Sequence, residues 1–209
     1  MTIARLSLAL FAGTALAAAS VQGVTIATFA DPAAGPSTPL FAFNSTTGVL
    51  TGQWLGQTNP LLLPNLLFQT PGVAAFPDFP DARFQMTPVV TTGSFGPVLV
   101  MGPGSVSFFD STNAPLMTIS FSGGLLNPAT NFGSSDFTGF NVVFSGPILA
   151  GLTLANESFA FSFANAVSTT TPPGYTVTSS FTSSADIIPA PASVALLGLG
   201  GLVAIRRRR

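Results

Sequence analysis

Between residues 24 and 188 the only charged side chains available for chemistry are seven carboxylates and one arginine. These are Asp31, Asp78, Asp81, Asp110, Asp136, Glu157, Asp186 and Arg83. The chain contains no histidine, no cysteine and no lysine. A Ser-His-Asp or Cys-His arrangement therefore has no base, and a zinc site lacks both of its usual ligands. A phosphate-binding loop has no lysine to close it. Disulfides and thiol nucleophiles are excluded together. Asp78 and Asp81 are the one close pair, and a calcium loop requires several oxygen ligands at tight alternating spacing, so the pair reads as solvated loop carboxylates. A glycosidase would have to bring Asp78 or Asp81 together with a remote partner. No motif surrounds any of the acids. The expectation is a protein that is not an enzyme and that uses no metal or cofactor.

The other patterned chemistry lies at the ends of the chain. Pro189-Ala190-Pro191-Ala192-Ser193 leads into an uncharged stretch through Ile205, followed by Arg206, Arg207, Arg208 and Arg209. Residues 192–205 would span roughly 21 Å as a helix, short of the roughly 30 Å hydrocarbon core of a bilayer. Gly198, Gly200 and Gly201 weaken that helix further. Flanking arginines can snorkel, so a marginal, temporary membrane stop is expected, with the basic cluster on the cytoplasmic side. At the other end, Arg5 precedes an apolar stretch from Leu6 to Leu16 and then small residues. That order is a secretory signal peptide over 1–23, with cleavage after Ala19 (Ala17-Ala18-Ala19) or after Gly23.

The C-terminal tripartite pattern resembles the PEP-CTERM sorting signal of Gram-negative bacteria, with Ala190 where that family has glutamate. The resemblance implies three things. The chain would be handled by signal peptidase and the general secretion machinery, reside transiently in the inner membrane, and be processed by an exosortase-type sorting peptidase. It also implies a final place on the cell surface or in the extracellular matrix, in association with exopolysaccharide and biofilm. Only the sorting elements map onto this sequence: the motif 189–193, the transmembrane helix 192–205 and the basic stop-transfer residues 206–209.

The ends also carry most of the positive charge. One cation against seven acids leaves residues 24–188 with a formal charge of −6, where the whole chain has −1. Such a segment has no electrostatic footprint for nucleic acid and no attraction to anionic lipid. Its length suits one domain, large enough to bury about 70% of its unfolded surface without disulfides. With so few charges, solubility must come from Ser, Thr, Asn and Gln.

The elements that would hold these residues are strands. Glu157–Asn165 alternates strictly, with Phe159, Phe161 and Phe163 on one face. Tyr175–Thr182 has a similar β-branched and polar mixture. Further strands are expected at 24–29, 48–54, 83–91, 98–109, 116–122 and 137–145. Turn clusters separate them at Asp31-Pro32, Asn44–Gly48, Asp110–Asn113, Asn127-Pro128, Gly133–Asp136 and Thr171–Gly174. The expected fold is all-β, a single antiparallel sandwich-like domain at 24–188, flanked by the signal-peptide and transmembrane helices. The run Leu61–Phe68, interrupted by Pro64, fits a buried edge or packed loop, or else an exposed contact patch.

Two further patterns are weaker. Asn44-Ser45-Thr46 and Asn156-Glu157-Ser158 match the glycosylation sequon, which recurs by chance in a chain so rich in these residues. The aromatic rows and Trp54 could stack on sugar rings. With 20 Phe against one Trp and one Tyr, however, core packing accounts for most of them.

Together these observations predict an exported, non-enzymatic surface or matrix protein, structural or adhesive, with extracellular polysaccharide as its partner. A small outer-membrane β-barrel is the alternative, and a carbohydrate-active enzyme a third reading.

Overall fold

The computed structural model describes residues 23–29, 40–55, 66–73, 76, 78–128 and 135–188. Residues 1–22 of the expected signal peptide, the sorting motif 189–193, the helix 192–205 and Arg206–Arg209 lie outside these residues, whereas Gly23, the last expected signal-peptide residue, is in the first strand. So do Asp31-Pro32 and the first part of the 61–68 run.

Within the described residues the chain is almost entirely antiparallel β. The strands are β1 (Gly23–Phe29), β2 (Phe41–Asn44), β3 (Val49–Trp54), β4 (Arg83–Met86), β5 (Val89–Phe95), β6 (Val98–Met101) and β7 (Gly104–Phe109). They continue with β8 (Pro115–Phe121), β9 (Gly123–Asn127), β10 (Ser135–Phe140), β11 (Val143–Ser145), β12 (Thr153–Thr170) and β13 (Pro173–Ile188), with a single 3-10 turn at Pro147–Leu149.

Eight of the strands close into a ring in the order β2–β3–β5–β6–β9–β10–β12–β13 and back to β2. Closure depends on the short strand β2, which pairs with β13 from Val177 to Gly174 and with β3 on its other side. Nearer its C-terminal end β13 pairs instead with β1, Gly23 lying opposite Asp186. The remaining strands, β4, β7, β8 and β11, form a second sheet joined to the ring through β3. Val49 and Leu50 face β5 of the ring, whereas Gln53 and Trp54 face β4 of the second sheet. Where two open layers were expected, one layer has closed on itself.

The corners explain why several expected strands are each two. The stretch 83–91 divides at Thr87-Pro88, 98–109 at Gly102-Pro103, and 137–145 at Asn141-Val142. At each point the chain passes between the second sheet and the ring. Proline has no N–H to give a ladder, and Asn141 takes a left-handed φ of 46°, so neither position continues a regular strand. By contrast, β12 turns without breaking. Its two register shifts, at Ala155/Ser158 and Ala164/Val167, coincide with Asn156 and Asn165, both left-handed at φ 52°. Each asparagine then bonds across to β13: Asn156 Nδ2 donates to Asp186 Oδ2 at 2.6 Å, and Asn165 Nδ2 to Thr178 Oγ1 at 2.9 Å. These are β-bulges, which bend a strand and raise its twist.

Ring and second sheet share one core of phenylalanine. Phe161 of β12 lies 4.7 Å from Phe41 and 5.5 Å from Phe181, centroid to centroid. Phe29 of β1 bridges the layers, 5.3 Å from Phe181 and 5.5 Å from Phe84 of the second sheet. Phe108 and Phe121 continue the contact, at 5.2 Å from Phe181 and 5.4 Å from Phe137. Offset and edge-on pairs of this kind each contribute about 0.5–1.5 kcal/mol beyond area burial. Glycines make room for the rings: a Cβ at Gly139 would overlap Phe159, and one at Gly52 would overlap Phe41. In the described part of the apolar run Leu66 and Phe68 are fully buried, while Leu67 between them is exposed. Phe68 also bridges to Phe79, and Gln69 to Thr28.

The ring has two unlike ends. The turns of the β2–β3, β5–β6 and β12–β13 hairpins lie at one end. Gly23 and Ile188, the outermost residues of β1 and β13, lie at the other, with Thr153 paired to Ile188.

Candidate functional site

Most of the acids that could have carried chemistry hold up local structure. Asp110 closes the β7–β8 turn: its Oδ1 accepts from the Thr112 hydroxyl at 2.7 Å, the Thr112 amide at 2.8 Å and the Ala114 amide at 2.9 Å. Those bonds hold its carboxyl below the usual carboxylate range. The Thr112 hydroxyl is the largest cause and the Ala114 amide the next, with a small contribution from the charge of Arg83. Glu157 Oε1 accepts the Phe144 amide at 3.0 Å, tying the edge strand β11 to β12. Asp186 anchors the Asn156 bulge, and Asp78 accepts from Gln69 Nε2 at 3.2 Å. Asp81 sits in a turn with φ 58°, and Asp136 is exposed on β10. Asp78 and Asp81 thus belong to a surface loop, as expected. Among the described residues no three acids are grouped so as to hold a metal ion.

Arg83, the one cation among the described residues, donates from Nη1 to Asn113 Oδ1 at 2.7 Å. Asn113 itself is left-handed, with φ 67°. Arg83 and Asp110 therefore brace the same turn, beside a cleft of about 400 Å³.

The two sequons occupy different settings. Asn44 caps the β2–β3 turn, its Oδ1 accepting the Thr46 and Thr47 amides at 2.9 and 3.1 Å. Asn156 is committed to the β12 bulge and to Asp186. The aromatic rows are core: Phe159, Phe161, Phe163 and Trp54 are all buried.

What sequence reasoning did not anticipate lies over the β2–β3 ladder. One cleft of about 380 Å³ includes Gln53, Gln85 and Met86, and another of about 420 Å³ includes Asn44, Thr47, Val49 and Tyr175. Both include the cross-strand pair Ala42 and Thr51. No composition signal marks them, because their side chains are ordinary neutral ones and β2 is only four residues long.

No protein-family model, no curated protein and no solved structure matches this chain.

Proposed function

We propose that this is an exported, non-enzymatic protein of the cell surface or extracellular matrix, delivered through the PEP-CTERM-like signal at 189–209. The observation that carries the proposal is the abutment of fold and tail. The strand β13 pairs as far as Ile188, and the motif begins at the next residue, Pro189. A cut within Pro189–Ser193 would spare every described strand pair. At the other end, β1 contributes Ile26, Ala27 and Phe29 to the core, so a signal peptidase cut after Ala19 leaves β1 whole, and one after Gly23 removes only its first residue, paired with Asp186. An exosortase-type peptidase, the general secretion machinery and a transient stay in the inner membrane complete the route. The local engagement of the acids described above favours a structural or adhesive role over catalysis. Extracellular polysaccharide is the proposed partner.

The eight-strand ring gives the outer-membrane barrel a specific point in its favour. Its faces argue against it. On β12 and β13 the ring turns Phe159, Phe161, Phe163 and Phe181 inward, with Ser162, Ser180 and Thr182 exposed on the outside, so the isolated exposed Val90, Phe95 and Phe140 of other strands do not join into a band around the ring. A lipid-facing barrel has the reverse polarity, with an apolar outer band. It also requires strands of about 9–11 residues, whereas β2, β6 and β9 have four, four and five.

Cell fractionation tests the proposal. In cells with the sorting peptidase the protein is expected outside the inner membrane, and in cells lacking it the protein is expected to remain there. Equal distribution in both strains would overturn the sorting role.

A further inference from the structure

We infer that the two clefts over the β2–β3 ladder form one groove, and that this groove binds an uncharged oligosaccharide chain. The clefts meet at Ala42 and Thr51, which face each other across the ladder, so together they make a continuous path. One end of the path is walled by β4, through Gln85 and Met86. The other reaches the tip of the β12–β13 hairpin, at Thr169 and Pro172. An elongated groove suits a linear ligand better than a compact one.

Its chemistry is that of a neutral sugar. No acidic or basic residue lines either cleft among the described residues, although this part of the chain carries seven acids. A charged ligand would find no counter-charge there. The lining instead mixes amides and hydroxyls with apolar surface, the combination that sugar rings present through their hydroxyl edges and C–H faces. Asn44 is oriented for this: its oxygen is taken by the Thr46 and Thr47 amides, which leaves Nδ2 as a donor. Apolar surface comes from Ala42, Val49 and Pro172 at the hairpin end.

The location also fits. The β2–β3 and β12–β13 turns lie at the end of the ring opposite Gly23 and Ile188. A domain still tethered through residue 189 would present this end away from the membrane. The inference takes its ligand class from the groove and relies on the matrix reading only for where the ligand is met.

The test is calorimetric titration of the exported protein, purified from producing cells, with cellotetraose, maltotetraose and tetragalacturonate. Binding of a neutral tetramer is expected, weakened at least tenfold by Thr51→Arg, which places an arm where the clefts meet. Thr138→Arg, on the exposed face of β10, is expected to leave affinity unchanged. Thr47→Arg, on an exposed turn, repeats the test if Thr51→Arg fails to fold. The inference is overturned if neither neutral tetramer binds, or if the groove variants bind like the unaltered protein. It is also overturned if tetragalacturonate is preferred, which would point to the cleft beside Arg83. Any of these failures leaves the sorting proposal intact, because that proposal is read from fractionation.

Discussion

The long hairpin β12–β13 and the strands facing it across the core solve the same problem differently. β12 and β13 run for 18 and 16 residues, while β4, β5, β6 and β7 break after four to seven. Alternation is shared by β12 and by the short β4, whose Phe84 and Met86 are buried between exposed or half-buried neighbours, so alternation does not decide where a strand ends. The punctuating residue does. An asparagine in the left-handed region bends β12 and keeps its pairing through a side-chain bond to β13. Proline at 88 or 103 removes a donor and sends the chain to the other sheet. The hairpin consequently serves as the spine of the fold, joined to β10 on one side and to β1 and β2 on the other.

The largest expected effect contrasts the two regions directly. Phe161→Ala in the spine should cost about 3–5 kcal/mol, seen as a lowered urea midpoint. Phe144→Ala, in the edge strand of the second sheet, should cost clearly less, because Phe161 packs on rings from several strands. Equal losses would break the comparison. Next, Gly139→Val forces a side chain into the space of the Phe159 ring and should cost about 1–3 kcal/mol. Replacing Asn156 with alanine should cost about 1–2 kcal/mol for the left-handed backbone alone, and it also loses the Asp186 bond. Pro88→Ala at a corner is expected to cost less than Asn156→Ala, because it removes no hydrogen bond. The reverse order would mean that the corners, rather than the bulges, carry the stability.

Asp110 should give the smallest effect. Its carboxyl is held low in the fold, so its stabilisation is present above the unfolded value of about 3.9 and lost as pH falls through the folded value. Asp110→Asn should therefore lower the urea midpoint slightly at pH 7 and leave it unchanged near pH 2, which flattens the acid slope. An unchanged acid slope would remove Asp110 from the turn's stability.

The fold class was legible because the Phe159, Phe161 and Phe163 alternation is unambiguous. The turns at Asn44–Gly48 and Asp110–Asn113 were legible because Asn and Asp cap their own backbone. Ring closure was not, because it depends on β2, four residues preceded by the Pro- and Gly-rich stretch 32–39. β9 was missed for a similar reason. Gly123 and Gly124 break its alternation, yet Gly124 is needed where the Phe137 ring crosses. The acids' roles were legible only as an absence of motif, since their partners are distant: Phe144 for Glu157, Asn156 for Asp186. The groove was hidden in the same way, because its two ends, Gln85 and Thr169, are 84 residues apart in sequence.

The central claim is export with processing at both ends, and the intact mass of the protein isolated from its cells tests it most directly. The account predicts loss of the first 19 or 23 residues and a C-terminal cut within Pro189–Ser193 that disappears when the sorting peptidase is deleted. A mass that still includes Arg206–Arg209 in both strains would contradict it.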